Sequence, residues 1–116
     1  MDYSKFVEKA VLKDKRNIFS RYDGSLDIIP DDLKEFYKKS NPLDVEINAV
    51  KFLPAEELIA LQREYSYLSA QFVFATCNGD PIFLNDGCIY TCPHGVKNAQ
   101  WELLSDNIMS YLESLF

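Results

Sequence analysis

The sequence predicts an α+β domain, a central and largely antiparallel β-sheet flanked by about four helices. Helix-spaced apolar residues dominate positions 1–68 and close the chain, whereas strand-like segments cluster between residues 71 and 104 with only short turns between them. That segregation favours α+β over alternating βαβ units. The 116 residues, 47% hydrophobic and 14% aromatic, suffice to fill one core and leave little room for a second, so a single domain over 1–116 is expected. No internal repeat and no low-complexity linker interrupts them.

The first helix is expected from Tyr3, Phe6, Val7, Ala10 and Val11, spaced i, i+3, i+4, with Lys5, Glu8, Lys9 and Lys13 on the opposite face. A loop follows through Ser20, Asp23, Gly24 and Ser25. Pro30 then opens a short helix whose first turn holds Asp31 and Asp32 and whose last turn holds Lys38 and Lys39, each charge matching the helix dipole. Leu33, Phe36 and Tyr37 form its apolar stripe, and Asn41-Pro42 stops it. DVEINAVKFL alternates Val45, Ile47 and Ala49 with polar residues, then changes parity at Val50 and Phe52, which predicts one strand with a bulge or sharp twist near Ala49. PAEELIALQREYSYL predicts the next helix, with Leu58, Leu61 and Tyr65 along one side.

QFVFAT, PIFL and CIYTC read as strands, the last two flanking Asn85-Asp86-Gly87, a turn tripeptide. AQWELL predicts another strand through the alternation of Ala99, Trp101 and Leu103, with Trp101 expected in the core. Ser105 is the expected cap of a terminal helix that turns Ile108, Leu112 and Leu115 inward.

Charge narrows the partners. The net charge is −6; residues 1–20 carry five Lys/Arg against three Asp/Glu, and residues 71–116 carry one Lys against five Asp/Glu. An acidic half repels a phosphate backbone, so nucleic acid is not expected. It suits a basic protein partner, although solubility alone also accounts for it. No apolar run reaches the length of a membrane span. The charged start MDYSKFVEKAVLKDKRN lacks the apolar centre of a signal peptide, so the expected location is the cytoplasm, where the three cysteines stay reduced.

Those cysteines and the one histidine fall within FVFATCNGDPIFLNDGCIYTCPHG. Cys77, Cys88, Cys92 and His94 are the right residue types for zinc, and the last three share a face if the strand runs that far. Along a strand, however, Cys88 and Cys92 stand roughly 13 Å apart, and Cys92 and His94 about 6.6 Å apart without a bend at Pro93. Neither a shared ion nor a thiolate–imidazole pair fits those spacings, and no oxyanion-hole or phosphate-cradling motif occurs. No metal and no cofactor is expected, and His94 is expected as a polar group at a strand end. The acidic pairs Asp31-Asp32 and Glu56-Glu57 are adjacent rather than facing, and helix N-termini account for both.

In its motif order the chain resembles the SUKH superfamily, which includes glucan-synthesis regulators of the Smi/Knr type. IIPDDLKEFYKKSN is similar to its proline, acidic, helix, asparagine segment. FVFATCNGDPIFLNDGCIYTCPHG is similar to its central signature: an aromatic strand, a Gly-Asp-Pro step, an acidic-glycine turn, and a tyrosine strand ending near a histidine. SDNIMSYLESLF resembles its closing helix. The likeness runs from about Gly24 to Phe116, with Pro42-Leu43 standing where glycines are usual and Thr76-Cys77-Asn78 where an acidic glycine-rich turn is common. The resemblance implies a non-catalytic α+β binding domain. Many bacterial members are similar to immunity proteins that neutralise a cognate nuclease or deaminase toxin; the alternative is a regulatory or scaffolding module with a housekeeping partner. On this reading the partner-binding residues are Asp80, Asn85, Asp86 and Tyr90, with Asp23 and Asp27 as secondary candidates. Each also has a structural role open to it: a strand end for Asp80, the turn for Asn85 and Asp86, the core for Tyr90.

Overall fold

The computed structural model describes residues 3–96 and 98–116. Four α-helices and seven strands occur among them, and the strands form one antiparallel sheet in chain order. The predicted α+β class, with a central sheet and about four helices, is what the chain adopts.

Helix α1 (Ser4–Lys13) buries Phe6 and Ala10, with Tyr3 buried just ahead of it; Val11, expected inside, is 38% exposed. The buried amide of Asn17 fastens the end of α1 to the sheet. Its Nδ2 donates to the Ala10 carbonyl at 2.9 Å and its Oδ1 accepts from the Glu46 N–H at 2.9 Å. Strand β1 (Ile18–Ser20), ending on the first residue of the expected loop, is not signalled by the sequence; three residues are too few to display a period. Helix α2 (Asp31–Ser40) has the bounds and charges its sequence predicts, and it buries Leu33, Phe36 and Tyr37.

The chain passes from α2 directly into β2 (Asn41–Ile47) and β3 (Val50–Phe52). The expected bulge or twist is instead a hairpin: Ile47 faces Val50, and Asn48 and Ala49 between them have φ of 51° and 69°. Positive φ at both loop residues is the requirement of a type I′ turn. Two more hairpins repeat the device. Asn78-Gly79 (φ 52° and 88°) joins β4 (Phe72–Cys77) to β5 (Asp80–Asn85), and Asp86-Gly87 (φ 50° and 81°) joins β5 to β6 (Cys88–Thr91). Such two-residue turns match the twist of the flanking strands, so three of them in one sheet set its register tightly.

Between β3 and β4 the expected single helix is three pieces: a 3-10 turn (Ala55–Glu57), α3 (Leu58–Glu64) and a second 3-10 turn (Ser66–Leu68), broken at Tyr65. The buried Asn41 holds the first piece, its Oδ1 accepting from the Ala55 N–H at 2.7 Å and its Nδ2 donating to Glu56 at 2.9 Å. From α3, Gln62 acts as a substitute strand for β4. Its Oε1 accepts from the Val73 N–H at 2.8 Å and its Nε2 donates to the Val73 carbonyl at 2.6 Å. These bonds satisfy main-chain groups of β4 that β3, which ends opposite Ala75, does not reach.

Strand β7 (Glu102–Ser105) begins three residues later than predicted, and α4 (Ile108–Ser114) is capped by Asn107, not Ser105. Asn107 Oδ1 accepts the Ser110 N–H at 2.8 Å, while the Ser105 hydroxyl bonds the Asn107 carbonyl. Ile108, Leu112 and Leu115 are inward as expected. The core is a run of edge-on and tilted rings, Phe6 to Phe36 at 6.0 Å, Phe6 to Phe52 at 5.8 Å, Phe52 to Phe74 at 6.3 Å and Phe74 to Tyr111 at 6.3 Å. This run ties α1, α2 and α4 to β3 and β4 on one side of the sheet.

Candidate functional site

The β4–β5 turn is braced from two sides, by Tyr65 and by His94. Asn78-Gly79 is a type I′ sequence, and Gly79 is needed twice, for its φ of 88° and for the imidazole of His94 lying against it; a Cβ there would stand 3.3 Å from the ring. From α3's side, Tyr65 Oη donates to the Gly79 carbonyl at 2.6 Å.

Asp80, the first residue of β5, completes the brace. Its Oδ1 accepts the His94 main-chain N–H at 2.9 Å and lies 2.6 Å from His94 Nδ1. An ionised carboxylate only accepts, so Nδ1 carries the proton. These bonds hold the Asp80 carboxyl below the ordinary carboxylate value, the side-chain bond from His94 contributing most. The pair ties the segment after β6 back to the β4–β5 hairpin. His94 is therefore a polar group beyond a strand end, as its sequence predicts. Strand β6 stops at Thr91, so Cys88, Cys92 and His94 do not share a strand face.

Beside Asp80 opens a cleft of about 480 Å³ lined by Asp80, Thr91, Cys92, Gln100, Trp101 and Glu102, with Pro93 alongside. Trp101 forms one wall. Expected in the core, it is 37% exposed and packs edge-on to Phe83 at 4.9 Å and tilted to Tyr90 at 5.4 Å. The helices that cover the aromatic core lie across the sheet from this cluster, which leaves the indole at the surface. Tyr90 is half-buried and stacks on Phe83 at 6.0 Å, while Leu103, its neighbour in register on β7, is 53% exposed. Tyr90 and Leu103 thus share one face of the sheet with Trp101 packed on Tyr90, while Asp80 and Glu102 line the cleft beside Trp101.

The other sequence-predicted residues do not converge on this cleft. Asn85 ends β5, roughly 17 Å along the strand from Asp80, and Asp86 follows it in the turn. Asp86 occupies the first loop position of its I′ turn, and Asn85 pairs with Cys88 while accepting a long bond from Gln71 at 3.4 Å. Their neighbours are Asp31 and Asp32. Gly87 lies within reach of the Asp32 carboxylate, and a cleft of about 420 Å³ contains all three aspartates. Helix electrostatics explains why Asp31 and Asp32 begin α2; only the folded chain brings Asp86 to them. Asp23 and Asp27 are exposed in the loop between β1 and α2.

The cysteines are free, Cys77 and Cys88 half-buried and Cys92 buried. Burial, followed by the negative charge of Asp80, pushes the Cys92 thiol up, the reverse of what an activated thiolate needs. Among the described residues no group of three His, Cys, Asp or Glu side chains is placed to hold a metal ion, and no helix is long and apolar enough to cross a membrane.

The class defined by these features is an α+β domain with an antiparallel meander and an acidic, aromatic surface cleft. Comparison with family models, with curated proteins and with solved structures gives no match for the chain.

Proposed function

We propose that this chain is a non-catalytic protein-binding domain of the SUKH type, and specifically an immunity protein that occludes a basic toxin domain of the nuclease or deaminase kind. The observation that carries the reading is the exposed indole of Trp101 in a cleft that it shares with the carboxylates of Asp80 and Glu102. Exposed aromatic residues with a charged rim are the composition of protein-binding surfaces, and acidic fields speed encounter with a basic partner. Asp80 and Asp86, roughly 20 Å apart along the strand direction, both fit under one partner covering about 800 Å² of this chain. The raised thiol of Cys92 favours binding over nucleophilic chemistry.

The test is inhibition. The purified chain, added in equimolar amount to the toxin domain encoded beside it, is expected to abolish that toxin's nuclease or deaminase activity. Undiminished activity with no complex on gel filtration would reject the immunity reading, and a specific complex with a cell-wall or signalling protein in its place would assign the regulatory one.

A further inference from the structure

We propose that the cleft between Asp80 and Trp101 is a receptor for an arginine side chain presented by the basic partner. The inference rests on the protein-binding reading and names what that surface recognises. Three features of the cleft select the guanidinium group.

The first is charge. Asp80 and Glu102 both line the cleft, and no Lys or Arg lines it among the described residues. His94 bonds a single oxygen of Asp80, leaving Oδ2 available to a second donor, and the main-chain and ring bonds hold that carboxylate in a fixed orientation. A positioned acceptor loses little freedom on binding.

The second feature is the indole wall. Trp101 is clamped by Phe83 and Tyr90 and still keeps more than a third of its surface open. A tryptophan face is the strongest side-chain partner for a cation, and a planar guanidinium stacks on it while its N–H groups point outward to acceptors at the rim. An ammonium group satisfies the charge but not the stacking or the fork of donors.

The third feature is size and polarity. A volume of about 480 Å³ accommodates one long side chain with the main chain that carries it, and Gln100 and Thr91 add polar atoms along the walls. The far acidic cleft at Asp31, Asp32 and Asp86 has carboxylates but no aromatic side chain other than Phe72 among its lining residues, and Phe72 is buried. Charge alone does not distinguish the two clefts; the exposed indole does.

Trp101 is the chain's one tryptophan, so its emission reports on this cleft directly. The probes are a blocked pentapeptide, Gly-Arg-Gly-Arg-Gly, and its citrulline counterpart, which keeps the shape of the arginines and removes their charge. The arginine peptide is expected to change Trp101 emission saturably and the citrulline peptide to leave it unchanged. Glu102→Gln, an exposed substitution, is expected to weaken the arginine peptide at least fivefold while the urea midpoint stays in place. Equal responses to both peptides, or equal affinity in Glu102→Gln, would overturn the proposal. The two claims separate cleanly. A toxin domain that binds Glu102→Gln and Trp101→Phe as tightly as the parent chain removes the arginine receptor and leaves the protein-binding reading intact. An arginine peptide that binds as described, beside a toxin domain that does not bind at all, removes the immunity reading and leaves the receptor.

Discussion

Nδ1 of His94 and Oδ1 of Asp80 stand 2.6 Å apart, and the same oxygen accepts the His94 main-chain N–H at 2.9 Å, so one carboxylate fixes both the ring and the backbone of a residue fourteen positions away. Both side chains are substantially exposed, so the pair organises a surface more than it stabilises the fold. His94→Ala is expected to cost less than about 1 kcal/mol in urea unfolding. It is also expected to return the Asp80 carboxyl toward its ordinary value, read by following the Asp80 side-chain carbonyl shift with pH. The sign follows from the depressed folded value. The stabilisation from this carboxylate is complete above the ordinary carboxylate pKa of 3.8 and is lost as pH falls through the lower folded value.

Asp14 gives the same sign at a separate place. Its hydrogen bonds from the Arg16 side chain and main chain hold it down to about 2. Its carboxyl is expected to titrate at about 2 in the intact chain and to move up toward its ordinary value in Arg16→Ala, which removes the guanidinium but keeps the main-chain N–H, with Asp80 unaffected in that variant. A value near 4 in the parent chain would show that the Arg16 contact does not persist in solution.

Gln62 carries more weight than its polar character suggests. Gln62→Leu leaves the Val73 N–H and carbonyl without partners at a half-buried edge, for which a loss of about 2 kcal/mol is expected in urea unfolding. Gln62→Glu keeps an acceptor for the N–H and removes the donor to the carbonyl, so its loss is expected to be smaller at neutral pH only if the carboxylate reaches the N–H; hydrogen exchange at Val73 reads that directly.

Ala49 sits at a φ of 69° in the second loop position of the β2–β3 hairpin, where an L side chain is strained and glycine is not. Ala49→Gly is expected to stabilise the chain by about 1 kcal/mol, seen as a rise of several degrees in Tm. An unchanged or lower Tm would mean that the turn is not type I′ in solution.

The sequence displayed what local chemistry decides. Helix α2 was legible because Pro30, Asp31, Asp32, Lys38, Lys39 and Asn41 mark its ends and Leu33, Phe36 and Tyr37 its inner face within a dozen residues. The turns at Asn78-Gly79 and Asp86-Gly87 announce themselves through glycine. The hairpin at Asn48-Ala49 did not, since its loop lacks glycine and a two-residue turn changes side-chain parity just as a bulge does. Asn107 took the cap from Ser105 because β7 runs on through Ser105. The candidate site was legible only in part. Asp80 and Tyr90 carry recognisable motif positions, but the exposure of Trp101 depends on which face of the sheet the helices cover. The meeting of Asp86 with Asp32 depends likewise on how two elements more than fifty residues apart pack, and no periodicity encodes that.

The central claim is that an acidic, aromatic surface around Asp80 and Trp101 binds a basic protein. Its most direct test is calorimetric titration of the chain, and of the charge-reversed Asp80→Lys/Glu102→Lys variant, into the basic toxin domain that the proposed function assigns to it as partner. The expected result is a saturable one-to-one complex of the parent chain whose affinity falls with added salt, and a loss of at least a hundredfold in the charge-reversed chain, whose circular dichroism is unchanged. A complex equally tight in both chains, or none with the parent, would contradict the account.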